Sequence, residues 1–188
     1  MPFFPKQRKV ASCGIDLVFI ETMNDSYETK AAILGVKEAC DLPVFVSNAY
    51  GEDGKLMTGA SPEAMVAMAE GLGVSAIGAN CSLGPDKLSG VVEKLLSVSS
   101  VPVILKPNAG LPASDGVNTY YDVDAEEFSD SVAGMIQKGV RIAGGCCGTT
   151  PEYIKALTEK TKDFSPVPIA KKNLTVVSSY THAVTFGP

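Results

Sequence analysis

The chain has 188 residues, of which 45% are hydrophobic and 20% are charged, and its formal net charge is -5. This length suits one domain with a single core, and the composition is that of an ordinary globular α/β protein. The acidic balance argues against nucleic acid as a partner, because the sequence has no stripe of Lys and Arg to neutralise phosphates. The sequence also lacks a run of apolar residues long enough for a membrane span or a signal segment, so we expect a cytoplasmic protein without a membrane partner.

Five apolar runs, each followed by a helix-forming segment, define the predicted fold. The predicted strands are Asp16–Ile20, Pro43–Ser47, Val74–Ile77, Val101–Leu105 and Val140–Ala143. The predicted helices run from Ser26 to Ala39, Pro62 to Gly71, Pro85 to Ser97, Glu126 to Lys138 and Pro151 to Lys160. Strand-helix units in series predict parallel strands with right-handed crossovers. We therefore expect an α/β fold, a partial (β/α)8 TIM-type barrel of about five units, since a complete barrel takes about 250 residues.

Two further segments lie outside these units. The loop 107–124 is long, and loops of such length in a compact domain are usually functional or disordered. After Thr161 the sequence becomes richer in Pro and Lys and then β-prone over 174–186. We expect a barrel domain over 1–165 and a linker or tail over 166–188. His182, the single histidine, is expected to be a surface residue of that tail.

The cysteines give the strongest functional signal. Cys146 and Cys147 lie between the last predicted strand and its helix, within a Gly-Gly-Cys-Cys-Gly segment, and Cys81 lies between the third strand and its helix. Barrel enzymes keep their chemistry at the carboxyl ends of the strands. Three thiolates from two strand ends make a catalytic-type zinc site, because a structural zinc would normally have a fourth protein ligand.

Other interpretations of these cysteines are weaker. A buried cysteine is often only a small hydrophobic residue, and this is the role expected of Cys13 and Cys40. Packing alone does not require the glycines that flank Cys146 and Cys147. A redox pair is disfavoured because these two cysteines lack the two-residue spacing of redox motifs. Five cysteines, an odd number, fit a reducing compartment in which thiols are free for metal.

Four motifs resemble, in the same order, those of one family. They are Gly14-Ile15-Asp16-Leu17 running into Ile20-Glu21-Thr22-Met23, Asn80-Cys81-Ser82-Leu83-Gly84-Pro85, Lys106-Pro107-Asn108-Ala109-Gly110-Leu111-Pro112, and Gly144-Gly145-Cys146-Cys147-Gly148-Thr149-Thr150-Pro151. With them the sequence resembles the homocysteine-binding, zinc-dependent methyltransferase domain of cobalamin-dependent methionine synthase and its relatives. The family's opening strand-helix units have no counterpart here, so we expect an amino-terminally truncated barrel.

The resemblance implies both a reaction and its partners. Homocysteine would bind zinc through its sulfur, and the zinc-bound thiolate would accept a methyl group to give methionine. Cys81, Cys146 and Cys147 would be the zinc ligands, and through zinc the catalytic residues. Methylcobalamin on a separate domain or protein would be the methyl donor, so corrinoid- and folate-binding modules are the expected partners. The resemblance also implies that the tail over 166–188 leads toward a folate-binding domain that is absent here.

The resemblance also suggests how the substrate's head group is held. It implies that Glu21 contacts the ammonium group of homocysteine. Asn80 and Asn108 either bind the head group or support the zinc ligands. Backbone N–H groups of the loop 108–110 are candidates for the substrate carboxylate.

The alternative is a catalytically incomplete barrel fragment, which keeps the zinc site or serves only in structure and assembly. Whether the chain is an enzyme then depends on completion of the barrel. Unpaired edge strands associate readily with other chains. The open sheet edges of a partial barrel therefore predict self-association.

Overall fold

The computed structural model describes residues 13–186. The strands are β1 (Val18–Met23), β2 (Val44–Asn48), β3 (Ala76–Asn80), β4 (Val103–Lys106), β5 (Pro112–Ser114), β6 (Thr119–Tyr121), β7 (Ile142–Ala143), β8 (Thr175–Ser178) and β9 (Ala183–Phe186). The helices are α1 (Ser26–Ala39), α2 (Pro62–Gly71), α3 (Pro85–Val98), α4 (Ala125–Lys138) and α5 (Pro151–Thr161). All of the predicted helices are confirmed. None of the helices within 13–186 is long and apolar enough to cross a membrane.

Side-chain caps and prolines determine where the helices begin. Asp25 caps α1 by accepting a hydrogen bond from the Glu28 backbone N–H at 2.8 Å, and Asp124 caps α4 in the same way. A cap of this kind typically contributes about 1 kcal/mol. Proline stands in the first turn of α2, α3 and α5, where its missing N–H has no helical partner to lose. These helices therefore begin at defined points after the carboxyl ends of the strands.

The central sheet is parallel and has the strand order β1-β2-β3-β4-β7. This arrangement confirms the predicted α/β fold with parallel strand-helix units. The strands are displaced toward higher numbers relative to the prediction, so that Glu21 and Asn80 lie within strands. Pairing between strands sets these bounds, as in the hydrogen bond from the Val18 N–H to the Pro43 oxygen at 2.9 Å. An apolar run alone does not report that pairing.

The two faces of the sheet have different surroundings. Side chains on one face, including Val46, Ala79 and Leu105, belong to the main hydrophobic core. Successive side chains of a strand point to opposite faces, so the residues between them form the other face. This inner face comprises Phe19, Glu21, Phe45, Ser47, Gly78, Asn80, Ile104 and Lys106. It is apolar at its floor, where the rings of Phe19 and Phe45 meet edge to face at 6.2 Å, and polar at the strand ends.

The long segment 107–124 is ordered by an antiparallel hairpin of β5 and β6. Asp122 fixes the base of this hairpin, because its Oδ1 accepts a hydrogen bond from the Leu111 N–H at 3.0 Å. The Val123 N–H donates to the Ala109 oxygen at 3.1 Å. The hairpin was not predicted, since its strands are short and largely exposed and show no apolar alternation.

The β-prone tail forms a second antiparallel hairpin, β8–β9. Its turn contacts the starts of two helices: the Ser26 hydroxyl donates to the Tyr180 oxygen at 2.9 Å, and the Ser61 N–H donates to the Thr181 oxygen at 3.0 Å. The Tyr180 ring lies 4.4 Å from the Tyr27 ring, and its hydroxyl donates to Asp25. The hairpin is therefore anchored where α1 and α2 begin.

Gly78→Ala should destabilise the sheet. An ideal Cβ at Gly78 would lie 2.0 Å from the backbone oxygen of Ile104 on the neighbouring strand, so the two strands would have to separate. We expect the free energy of unfolding to fall by about 3 kcal/mol, measured by urea denaturation. Gly90→Ala is the control: a Cβ there meets nothing within 4 Å, and alanine within α3 should add about 0.5 to 1 kcal/mol. Unchanged stability of Gly78→Ala would contradict this close approach of β3 and β4.

Candidate metal and substrate site

The three predicted cysteines meet at the carboxyl end of the sheet. Cys81 directly follows β3, while Cys146 and Cys147 lie in the loop after β7. Their sulfur atoms all lie within 4.8 Å of one another, and the Cys81 and Cys147 sulfurs are 3.7 Å apart. Cys147 is exposed and the other two are half-buried. Within residues 13–186, this is the one group of three or more His, Cys, Asp or Glu side chains close enough to share a metal ion.

A strained turn brings Cys81 to this position. Cys81 and Ser82 both have a φ of 62°, in the left-handed region that non-glycine residues occupy at a cost of about 1–3 kcal/mol each. Hydrogen bonds on both sides hold the turn: the Cys81 N–H donates to the Lys106 oxygen at 3.0 Å, and the Leu83 N–H donates to the Cys81 oxygen at 2.7 Å. Strain of this kind persists where the surrounding structure fixes it, and it is concentrated at functional sites.

The loop of Cys146 and Cys147 is held by the segment after β4. The Cys146 N–H donates to the Pro107 oxygen at 2.8 Å, and the Ala109 N–H donates to the Cys147 oxygen at 3.0 Å. The side chain of Asn108, which is 4% exposed, accepts a hydrogen bond from the Cys147 N–H at 3.0 Å. The buried Asn108 side chain therefore helps to hold the loop of Cys146 and Cys147 in place.

Asn80 connects three parts of the site through one buried amide. Its Oδ1 accepts hydrogen bonds from the Ser47 hydroxyl at 2.6 Å and from the Thr22 N–H at 3.0 Å. Its Nδ2 donates to the Thr22 hydroxyl at 2.7 Å and approaches the Cys146 sulfur at 3.8 Å. Of the two roles considered for Asn80 and Asn108, this geometry favours support of the cysteines over contact with the substrate head group, because both oxygens already accept protein donors.

Glu21 lies on the inner face and is paired with Lys106. The Glu21 Oε2 and the Lys106 Nζ are 2.5 Å apart, and the Lys106 Nζ also lies 4.9 Å from the centre of the Phe19 ring. The Glu21 side chain is 46% exposed and the Lys106 side chain 24%. Sequence reasoning identified Glu21 but missed this partner. The position of Lys106 at the end of a buried strand was the available signal.

Tyr121 closes one side of the cysteine cluster. The hairpin β5–β6 brings its ring against Gly148, whose φ is +80°, and an ideal Cβ there would lie 2.4 Å from the ring. Partial burial, followed by the nearby charges of Cys147 and Cys81, raises the pKa of the Tyr121 phenol. From the sequence, Tyr121 was only a member of a long loop, because its position depends on the unpredicted hairpin.

The remaining cysteines and the histidine lie elsewhere. Cys40 is half-buried and packs against the core, as expected. Cys13 is exposed, so the prediction that it is a packing residue was wrong; it precedes β1 in a turn and not within an apolar helix. His182 is an exposed residue of the β8–β9 turn, as predicted, and it is not part of the cysteine cluster.

Comparison with known proteins identifies the family. The family model described as homocysteine S-methyltransferase matches residues 2–161. The chain belongs to the homocysteine S-methyltransferase family. Every candidate site residue of this homocysteine S-methyltransferase chain lies inside the matched region: Glu21, Asn80, Cys81, Asn108, Cys146 and Cys147.

Two similar curated proteins of the homocysteine S-methyltransferase family are methionine synthases. The methionine synthase of Mycobacterium leprae (strain TN) is 37% identical over 148 residues, and that of Mycobacterium tuberculosis (strain ATCC 25618 / H37Rv) is 35% identical over 148 residues. Each match covers 76% of this chain and 12% of the relative. The chain therefore spans a small part of the length of these methionine synthases.

Solved structures of the homocysteine methyltransferase MmuM from Escherichia coli share the fold. The apo form superposes with a TM-score of 0.67 at 24% identity, and the metallated form with a TM-score of 0.68 at 23% identity. The matches cover 83% of this chain, and 53% of the apo and 49% of the metallated chain. This homocysteine S-methyltransferase chain thus corresponds to about half of each MmuM structure.

Asn80→Ala should destabilise the protein more than an ordinary surface change. The variant leaves the buried Ser47 hydroxyl and the Thr22 N–H without their acceptor, and an unsatisfied buried polar group costs about 1–3 kcal/mol. We expect a fall of about 3 kcal/mol in the free energy of unfolding by urea denaturation. The exposed Asn173 provides a matched control, for which the change to Ala should stay within about 0.5 kcal/mol. Equal effects of the two changes would contradict the role of the Asn80 amide.

Proposed function

We propose that this chain methylates homocysteine on sulfur, giving methionine, at a zinc site formed by Cys81, Cys146 and Cys147. The observation that carries the proposal is the convergence of three cysteine sulfurs at the carboxyl end of the sheet in a homocysteine S-methyltransferase family member. Zinc, when bound, acts as a Lewis acid that lowers the pKa of a coordinated thiol.

The geometry and chemistry of the three donors suit zinc. Sulfur atoms at the corners of a tetrahedron with bonds of ~2.3 Å lie about 3.8 Å apart. The separation of 3.7 Å between the Cys81 and Cys147 sulfurs agrees with this spacing. Zinc accepts cysteine thiolates readily, and a site with three protein ligands leaves a fourth position for a substrate. The exposure of Cys147 puts the cluster within reach of solvent and hence of a ligand.

The protein's own residues would then orient the substrate. Glu21 offers a carboxylate to the ammonium group of homocysteine, at the same end of the sheet as the cysteines. Asn80 and Asn108 both hydrogen-bond to the loop of Cys146 and Cys147 and support it. In the reaction the homocysteine thiolate attacks the methyl carbon, a sulfur–carbon bond forms, and the donor leaves with the electron pair of the broken bond.

The resemblance to methionine synthase supports methylcobalamin on a separate module as the methyl donor, with corrinoid- and folate-binding modules as partners. Since the chain matches 12% of the mycobacterial methionine synthases, these parts would be supplied outside the matched region. We assign residues 1–165 to the barrel and 166–188 to the connection toward such modules. Self-association through the open edges β1 and β7 remains part of the proposal. The purely structural alternative is not favoured, because the match to the family includes all the cysteines of the site.

Zinc content tests the metal assignment. The unmodified chain, purified without added metal, should contain about one zinc, whereas Cys81→Ala and Cys146→Ala should lose it because two thiolates make a poor zinc site. Cys40→Ala is the matched control, since this cysteine lies outside the cluster and should not affect the metal. Metal analysis by mass spectrometry measures all four proteins. Full zinc in both the Cys81→Ala and Cys146→Ala variants would refute the assignment.

Glu21→Gln tests the substrate. The change removes a charge partner of the ammonium group without touching the thiolates, so zinc content should stay while homocysteine affinity falls. A lost charge-assisted hydrogen bond is worth about 1.5–3 kcal/mol, or roughly ten- to a hundred-fold in affinity. Calorimetric titration of the zinc-loaded protein measures the change, with a thiol that lacks the amino group as the control ligand. Glu93→Gln, which alters an exposed ion pair with Lys138, should bind homocysteine normally. Equal affinities of the two variants would show that Glu21 is not the ammonium partner.

A further inference from the structure

Lys106 occupies a central place on the inner face of the sheet. It is the last residue of β4 and pairs in register with Asn80. The Cγ of Lys106 would lie 3.5 Å from an ideal Cβ at Gly144, a residue of the same loop as the cysteine pair. Its Nζ reaches Glu21 on β1, although β2 and β3 lie between their strands. Lys106 therefore spans the space between the cysteine loop and the proposed ammonium partner.

The Glu21 carboxylate and the Lys106 ammonium together form a small binding site with no net charge. Lys106 is the more buried of the two, with 24% of its side chain exposed. Its Nζ lies over the Phe19 ring, 4.9 Å from the ring centre. Glu21 is open to solvent on one side. A free amino acid carries an ammonium and a carboxylate on one carbon. A carboxylate and an ammonium held side by side on the protein are the complementary pair.

Two of the three backbone N–H groups considered for the substrate carboxylate are already engaged. The Asn108 N–H donates to the Leu83 oxygen at 3.0 Å, and the Ala109 N–H donates to the Cys147 oxygen at 3.0 Å. Using either N–H for a substrate would break a bond that holds a cysteine loop. The expectation that this loop binds the carboxylate is therefore unsupported for these two donors, and Lys106 is the nearby cation that can replace them.

Local charge also favours this role for Lys106. A divalent ion held by three thiolates keeps a net negative charge, so the site repels a carboxylate that approaches it. A lysine ammonium in a partly water-excluded position offsets this repulsion, since charge interactions strengthen as water is removed. Glu21 alone would add to the repulsion.

We infer that Lys106 binds the α-carboxylate of homocysteine while Glu21 binds its α-ammonium, so that the substrate inserts between the two side chains. This inference rests on the proposed function. It makes the Glu21–Lys106 pair a selector for thiols that carry a free amino-acid head group, and it assigns to Lys106 a role in substrate binding and not in metal binding.

The test compares two thiols that differ in the carboxylate alone. Homocysteine and 3-aminopropanethiol are titrated calorimetrically into the zinc-loaded protein, into Lys106→Met and into Lys106→Arg. Lys106→Met should weaken homocysteine binding by about ten- to a hundred-fold. It should leave 3-aminopropanethiol binding unchanged or stronger, because Glu21 loses a competing cation. Lys106→Arg should retain most of the affinity for homocysteine. Lys138→Met, which removes a lysine from an exposed ion pair with Glu93, is the matched control. It should leave the affinity for both thiols unchanged.

The outcomes separate this inference from the proposed function. If the unmodified protein binds neither thiol, both are overturned. Two outcomes would overturn only the role of Lys106, provided that the unmodified protein binds homocysteine. Either Lys106→Met binds homocysteine as tightly as the unmodified protein does, or its affinities for the two thiols fall to the same extent. The unmodified protein supplies a check that needs no variant: it should prefer homocysteine to 3-aminopropanethiol, and equal affinities would also overturn the inference. Zinc content and circular dichroism establish that Lys106→Met is folded; if it is not, Lys106→Gln replaces it.

Discussion

The candidate site depends on one buried amide. Asn80 joins the end of β1, the end of β2 and the cysteine loop after β7 through hydrogen bonds made by a side chain that solvent does not reach. In a parallel sheet the strand ends are free to splay, because ladder hydrogen bonds stop there. A single group that donates and accepts at the same time holds three of these ends in register. The left-handed turn begins at Cys81, directly after Asn80. The hydrogen bonds of Asn80 therefore also hold this strained turn in place.

The sequence predicted the elements and the cysteine cluster well because both rest on local signals. Proline and aspartate mark the helix starts, and glycines around Cys146 and Cys147 mark an exposed turn at a strand end. Parallel strands bring their carboxyl ends together, so residues such as Cys81 and Cys147 could be expected to meet despite their distance in the chain. Support by Asn108 was one of two roles that sequence alone left open. The hydrogen bond that the Asn108 Oδ1 accepts from the Cys147 N–H favours this support.

Contacts that depend on curvature or on weak strands could not be predicted. Glu21 and Lys106 are 85 positions apart and stand on strands that are not neighbours, so their contact requires a sheet curved enough to bring β1 and β4 together. Tyr121 reaches Gly148 only through the hairpin β5–β6, whose short exposed strands lack a periodic pattern. Sequence motifs report what each strand end carries. They do not report how the ends approach one another across the inner face.

The position of the β8–β9 hairpin determines where a module that follows it in the chain would be attached. It is fixed to the starts of α1 and α2 by Ser26 and Ser61, and α1 begins directly after β1, the strand that carries Glu21. Phe186, however, pairs with Thr175 at the open end of the hairpin, away from its turn, and the adjoining Lys172 N–H donates to the Ser100 hydroxyl at 2.8 Å, just before β4 begins. A module joined to the chain after Phe186 would therefore start its linker toward the end of the sheet opposite the cysteines. A linker too short to span the sheet would hold the module away from the site, so the effective concentration there is highest for a linker whose length matches that span.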